Sequence, residues 1–405
     1  MSTTERLYYE DSHLTEFDAR VVSVAPLEGG RAGVRLDRTA FYPTGGGQPS
    51  DTGSLGGARV VECVDEEETG VLHVVEGDAP REGERVRGRV DWPRRLDHMQ
   101  QHTGQHIFSQ AFVQLFGAQT RSFRMLERAC EIDVALEAPS DERVRRAVEL
   151  ANRIVWEDRP VVVRFATRED AATLPLRKDS AREGELRIIE IEEFDLSPCG
   201  GTHAHRTGEV GVIAVRSWER AKGLTRVEFV AGGRALADYD AANKSARATA
   251  SLFSVGRDEA PSAVARLQEE NKRLARRVRE LEEVTARVEA AELYAAAVSH
   301  PGDNLRVVVK VFGGRDAESL KRLAHALVAN PLTVALLGSH DEDEARLVFA
   351  RSADARADVN SLLREACTRL GGRGGGRPDF AQGGARADLE QLRAALEAAS
   401  DRLKN

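Results

Sequence analysis

At 405 residues the chain is too long for a single hydrophobic core, and roughly two to four domains are expected. Hydrophobic residues at 41% and charged residues at 31% are the balance of a soluble globular protein, and no stretch of about 18 apolar residues offers a membrane span. The net charge of -8 excludes a uniformly basic nucleic-acid surface, although residues 361–386 carry Arg364, Arg369, Arg373, Arg377 and Arg386 against Glu365 and Asp379.

No basic segment followed by an apolar block opens the sequence. Its four cysteines (Cys63, Cys130, Cys199, Cys367) are too widely spaced for a disulfide framework, so a cytoplasmic setting and a free Cys199 thiol are expected. Residues 1–92 read as β, with "ARVVSVAPLEGGRAGVRLDRTAFYP" and "LGGARVVECVDEEETGVLHVVEG" alternating apolar and polar residues between glycine turns. A small barrel or sheet is expected there. Within it, "LDRTAFYPTGGGQPSDTG" (36–53) sets Gly45, Gly46 and Gly47 in a row beside Thr39 and Gln48. Successive glycines admit a ligand close to the backbone and expose amide donors. No Lys-Ser/Thr follows, so this is not a phosphate loop, and a wide turn between strands is the competing reading.

From Arg94 the period changes. "RRLDHMQQHTGQHIFSQAFVQLF" predicts a helix with Leu96, Met99, Ile107, Phe108, Phe112 and Leu115 on its core face and Gly117 as its stop. Ser140 is a candidate N-cap for a second helix. "CEIDVALE", "PVVVRFAT", "LRIIEIEEFD", "GEVGVIAVRSWER" and "LTRVEFVAGG" read as strands, so residues 93–235 are expected to form an α+β domain. Residues 236–300 read as helical. Val264, Leu267, Asn271, Leu274, Val278, Leu281, Thr285 and Val288 make a heptad seam of about 37 Å, with Asn271 as the polar position that sets register. That seam (264–288) is expected to join two copies in a homodimer; a helix packed within its own chain is the alternative. Residues 301–405 are expected to be a C-terminal α/β domain in which "GGRGGGRPDFAQGGA" is a glycine-rich loop bearing Arg373 and Arg377. The fold class is therefore α+β: a small N-terminal β-barrel or sheet, an α+β domain, a helical or coiled-coil linker and a C-terminal α/β domain.

Two pairs of ligand-type residues share one spacing. His102 and His106 lie four apart on the predicted helix, so both imidazoles face one way. His98 is one turn earlier on the same stripe. In "DLSPCGGTHAHRTGEVG" (195–211), Cys199 and His203 are also four apart, around glycines that permit a tight turn. Three imidazoles and a thiolate form a donor set suited to zinc, and one ion per chain is expected at His102, His106, Cys199 and His203. The alternative is two unrelated pairs, with Cys199 a small buried hydrophobe. The residues alone leave open whether such an ion polarises water, binds substrate or shapes a pocket.

Together, "TAFYPTGGGQPSDTG", "RRLDHMQQHTGQHIFSQAF", "RIIEIEEFDLSPCGGTHAHRTGEVGVIAV" and "TRVEFVAGGRAL" resemble the editing domain of alanyl-tRNA synthetase and the freestanding AlaX trans-editing proteins. Residues 305–405 are similar to the C-terminal domain of that synthetase, which makes the resemblance one to the long AlaX form. It implies a hydrolase that removes serine, and also glycine, wrongly attached to tRNA(Ala). It implies zinc at the four residues named, and Thr39 and the loop from Gly45 to Gln48 beside the aminoacyl group. The C-terminal domain would supply tRNA affinity, with Arg373 and Arg377 following phosphates. One departure is "SFRMLERACEIDV" (122–134), where Arg124 and Met125 stand in place of a His-hydrophobic-Gly pattern. Nothing resembles an ATP-binding aminoacylation domain, so tRNA charging is not expected.

The bond to be broken is then an ester. No free nucleophile–base pair is apparent, so direct attack by water is expected, with the amides of Gly45 to Gly47 as oxyanion donors. Thr39 is the expected hydroxyl contact that separates serine from alanine. Competing readings are a non-catalytic tRNA-binding or regulatory protein with a structural zinc, and a zinc deacylase for another aminoacyl-tRNA. A phosphoesterase would need aspartate-rich motifs that are absent.

Overall fold

Alternating strands between Glu16 and Val90 close on themselves. A computed structural model, describing residues 4–66, 69–178, 184–299 and 304–403, orders them Glu16–Pro26, Ala32–Leu36, Gly70–Glu76, Ala58–Glu66, Gly53–Leu55 and Arg85–Val90 around a barrel. Closure leaves no free edge, and Val34, Leu36, Phe41, Leu55, Val60 and Cys63 fill the interior. The barrel belongs to the first of two units, Met1–Ala248 and Thr249–Asn405.

The chain leaves the barrel into the helix Trp92–Phe116, which Gly117 ends in a left-handed conformation at φ 63°. Met99, Ile107, Phe108 and Phe112 are fully buried, as their spacing predicts. Leu96, however, is only half-buried, and its neighbour Arg95 is fully buried in its place. The Arg95 guanidinium contacts both oxygens of Asp51, with Nε at 3.2 and 3.1 Å, and donates to the carbonyls of Ser12 at 2.6 Å and of Ala40. Asp51 also accepts the Tyr42 N–H at 2.7 Å. Further along, the Gln101 side chain exchanges two hydrogen bonds with the Ala231 backbone, each 2.9 Å. Polar residues on several sides of this helix are thus satisfied in the interior, which a one-face periodicity cannot anticipate.

Around the helix lie two antiparallel sheets. One has the order Ile213–Ala221, Leu224–Ala231, Cys130–Val134, Thr120–Met125; the other has Val161–Ala166, Leu186–Ile191, Asp195–Pro198. Thr120–Met125 and Asp195–Pro198 are strands in stretches with no such expectation. Ser140 does cap the helix Asp141–Trp156, accepting the Arg143 N–H at 3.3 Å.

The linker is two helices, Gly233–Leu252 and Ala260–Ala296. Ala290, Leu293 and Tyr294 of the second join the core formed with Leu320, Leu323 and Leu327. The heptad seam lies elsewhere on its surface: Leu267, Leu274 and Val288 stay 47%, 51% and 56% exposed. In the second unit a sheet runs Arg306–Gly313, Thr333–Asp341, Glu344–Arg351, Phe380–Arg386, Arg373–Arg377, parallel in its first pair and antiparallel thereafter. The glycine-rich stretch expected as a loop is therefore the edge hairpin of that sheet. A Cβ on Gly374 would come within 2.8 Å of Leu363 and 2.9 Å of Cys367 Sγ, so its glycine lets the hairpin press against the helix Val359–Arg369. The boundary expected at 300–301 lies outside the described residues.

Replacing Arg95 by leucine would leave the Asp51 carboxylate buried and unpaired. Urea unfolding of Arg95→Leu is expected to show a loss of about 3–5 kcal/mol. Leu96→Ala, at a half-buried position, should cost less than half as much. Equal losses would return the core face to where the periodicity alone puts it.

Candidate metal centre

His102 and His106 project from one face of the helix Trp92–Phe116, and Cys199 and His203 come from the turn that follows the strand Asp195–Pro198. One ligand atom from each of the four lies within 4.8 Å of all the others. Cys199 Sγ is 3.3 Å from His102 Nε2 and 3.3 Å from His203 Nε2. A tetrahedral ion bound at about 2.3 Å to sulfur and about 2.0–2.1 Å to nitrogen sets sulfur about 3.5 Å from each nitrogen, so the spacing fits a metal ion. Gly201 permits the approach, because a Cβ there would fall 2.2 Å from the His102 ring.

The outer nitrogens are held as well. His102 Nδ1 donates to Gln48 Oε1 at 2.8 Å, His106 Nδ1 to Asp195 Oδ2 at 3.0 Å, and His203 Nδ1 lies 3.3 Å from Thr103 Oγ1. Such contacts choose the tautomer that turns each bare Nε2 inward. Burial opposes the Asp195 charge, yet the His106 bond and Arg177, whose Nε is 2.7 Å away, outweigh it and hold the carboxyl near 2. Burial disfavours the charged form of His106, but Asp195 and the Cys199 sulfur together outweigh it and raise its pKa. Burial pushes His203 down to about 3, so its ring is neutral. Burial favours the Cys199 thiol, but the adjoining imidazoles prevail and lower its pKa well below the ordinary thiol value. Thiolate and neutral imidazole are the forms that bind metal. His98, on the same stripe, stands outside the cluster. It too is buried, which lowers it to about 4.

Gln48 is turned into the interior. It is 1% exposed, and besides holding His102 it donates to Thr202 Oγ1 at 2.8 Å. Gly45 N–H and Gln48 N–H close a turn on each other's carbonyls at 3.0 and 2.9 Å, which removes Gly45 as a free donor. Gly46 lines a cavity of about 550 Å³ together with His102, Gln105, Thr120, Phe123 and Cys199. Thr39 is absent from that lining. Its hydroxyl, fully buried, donates to His73 Nε2 at 2.7 Å and accepts the Phe41 N–H at 3.1 Å, while His73 Nδ1 bonds the Val34 carbonyl. It is a barrel residue. Arg373 and Arg377 are exposed on the edge strand of the second unit. Arg124 pairs with Glu131, and Met125 N–H donates to the Gly47 carbonyl at 3.0 Å, so this strand supports the glycine turn.

Several residues of the site escaped the sequence reading. Arg187 donates through Nη1 to the carbonyls of Cys199 and Gly201 at 2.8 and 2.9 Å and through Nε to that of Tyr9 at 2.9 Å. It clamps the turn that carries the thiolate, and burial lowers its pKa. The available signal was a charge inside the apolar run Leu186–Ile191. Asp195 had a similar signal, a carboxylate four residues before the candidate ligand Cys199. Thr120 and Gln105 offered none, because only the folded chain joins them through Ser109, at 2.8 and 2.7 Å.

The family model described as "Threonyl and Alanyl tRNA synthetase second additional domain" matches residues 186–228. The DHHA1 domain matches 304–405, and "tRNA synthetases class II (A)" matches 2–94, the barrel segment. An alanyl-tRNA editing protein, AlaX-L of Pyrococcus horikoshii, is 33% identical over 96% of this chain and 96% of its own length. The alanine–tRNA ligase of Natronomonas pharaonis is 36% identical over 99% of this chain, which spans 44% of the ligase. That of Pyrobaculum neutrophilum is likewise 36% identical, over 98% of this chain and 44% of the ligase. The solved C-Ala domain of Aquifex aeolicus alanyl-tRNA synthetase is 27% identical over 25% of this chain and 94% of its own, at a TM-score of 0.24.

Removing an outer contact should loosen the centre without removing a ligand. Asp195→Asn is expected to weaken binding of zinc or cobalt about 10–100-fold, measured by competition with a chromophoric chelator. Unchanged affinity would mean that Asp195 serves Arg177 alone.

Proposed function

The chain belongs to the family of the alanyl-tRNA editing protein AlaX-L, and on that premise we propose that it hydrolyses the ester of tRNA(Ala) mischarged with serine, and also with glycine. The observation that carries this reading is the convergence of His102, His106, Cys199 and His203 at the wall of a cavity that also exposes Gly46. These four residues would hold one zinc ion per chain. A bound divalent ion would supply positive charge to the pocket.

The protein's own groups do the rest. The Gly46 amide, which has no hydrogen-bond partner among the described residues, donates to the carbonyl oxygen as negative charge develops there. Gly47 is the second candidate donor. Cys199 is held among three imidazoles and is unavailable as a nucleophile, so water attacks directly and no acyl-enzyme forms. Arg121 and Lys178 line the same cavity and are exposed, which suits them to phosphates of the acceptor end. The hydroxyl contact that recognises serine belongs to Thr120, in its chain with Ser109 and Gln105, and not to Thr39.

In the second unit, Arg373 and Arg377 on the exposed hairpin edge bind the tRNA backbone. The half-exposed seam 264–288 supports pairing with a second copy, so the chain acts as a homodimer. We read it as four segments: the glycine-motif barrel (1–92), the zinc-containing editing domain (93–235), the helical linker (236–300) and the C-terminal tRNA-binding domain (301–405). Among the described residues no helix is long and apolar enough to cross a membrane. Correction of charged tRNA is work of the cytoplasm, and the proposed activity sets the chain there. A non-catalytic protein with a structural zinc has one observation in its favour, a shell already filled by four protein donors.

Deacylation of Ser-, Gly- and Ala-tRNA(Ala), with and without chelator, separates these readings. Serine and glycine should be released and alanine spared, with loss of activity on chelation; no release of any amino acid would leave the structural reading standing. Thr120→Val is expected to lower serine release at least about 10-fold more than glycine release, since a hydroxyl-reading site discriminates by up to about 10⁴-fold. Thr39→Val should lower both together, through stability. The opposite pattern would restore Thr39 as the substrate contact.

A further inference from the structure

A second group of ligand-type side chains lies in the same unit, outside the four-residue cluster. Asp11, His13 and His205 each offer an atom within 4.8 Å of the other two. The two imidazoles stack, with centroids 3.7 Å apart and planes inclined by 29°. His205 Nε2 lies 3.1 Å from Asp11 Oδ1, and His13 Nε2 lies 2.8 Å from Glu209 Oε2. A carboxylate at Nε2 keeps the ring proton there and leaves His13 Nδ1 as a bare lone pair. That atom is shielded from solvent and has no hydrogen-bond partner among the described residues.

A shielded acceptor left unpaired is a cost that a bound group removes. The relation between Glu209 and His13 resembles the one between Asp195 and His106: a carboxylate fixes one ring nitrogen and leaves the other bare. We propose that Asp11, His13 and His205 form an auxiliary site for a divalent transition-metal cation of the zinc, cobalt and nickel class, with Glu209 orienting His13. Two nitrogens and a carboxylate oxygen suit such ions, and the absence of sulfur separates this site chemically from the one at Cys199. The side chains of Asp11 and His205 are 51% and 53% exposed, so water completes the coordination and the ion exchanges readily.

The site has a place in the fold. Ser12, between the two N-terminal ligands, accepts the His203 N–H through its hydroxyl at 3.2 Å and the Arg95 Nη1 through its carbonyl at 2.6 Å. A cation here staples segment 11–13 to segment 205–209 and so steadies the turn that presents His203.

The test uses the untagged full chain, loaded with one equivalent of zinc and titrated with cobalt(II). One further saturable equivalent is expected, with visible d–d absorption, no sulfur-to-cobalt charge-transfer band, and a rise in Tm. His205→Gln and Asp11→Asn, both at exposed positions, should each weaken that uptake at least tenfold while zinc content stays at one per chain. No saturable uptake beyond the first equivalent would overturn the proposal. So would uptake unchanged in both variants, or uptake seen only with the charge-transfer band, which marks displacement at Cys199. A chain that retains no zinc would count against the four-residue site alone, because the thiolate-free absorption is scored in either case.

Discussion

A buried ion pair, Arg95 with Asp51, ties the helix that carries His102 and His106 to the barrel segment and to the N-terminal segment. Both side chains are fully excluded from solvent. Such a pair gains little over a well-packed apolar pair, but losing one member strands a charge in the interior. Here the pair also fixes position. Arg95 sits seven residues, about two helical turns, before His102. Its guanidinium ties the helix to Asp51 at the end of the glycine segment, to Ala40 within it and to Ser12 on the N-terminal segment. Ser12 then reaches the His203 backbone, and Gln48, from the same glycine segment, reaches His102. Two of the three converging rings are therefore set by groups that the pair anchors.

The electrostatics of the centre are local and nearly self-contained. Around Cys199 the imidazoles, Asp195, Arg177 and Arg187 are all buried, and each polar contact selects a protonation state that the next one needs. The exposed cations Arg121 and Lys178 stand at the cavity, faced by Glu185 as its lining carboxylate. A net charge of -8 therefore says little about this surface. Charge acts over about a Debye length of 8–10 Å, so a mouth a few residues wide can be cationic on an acidic chain.

Much of the arrangement was legible before folding. Alternation foretold the strands that became the barrel, Gly117 and Ser140 foretold helix ends, and equal four-residue spacings foretold which donors would face one way. Those signals are short-range: they follow from the pleat of a strand, the pitch of a helix and the backbone freedom of glycine. The heptad seam belongs with them, since its spacing says which residues align, though not what covers them.

Other features depended on partners distant in the chain. Arg95 in place of Leu96, Gln48 behind His102 and Thr39 turned toward His73 all follow from contacts across dozens of positions, and so does the pairing of the glycine hairpin, where a loop was expected, with the strand Glu344–Arg351. Composition and spacing determined the elements, the donor types and the faces that carry them. Only the tertiary structure decided which polar side chains line the cavity and which are spent on holding a neighbouring side chain, because a buried hydrogen-bonding group is assigned by whatever partner packing brings within about 3 Å of it.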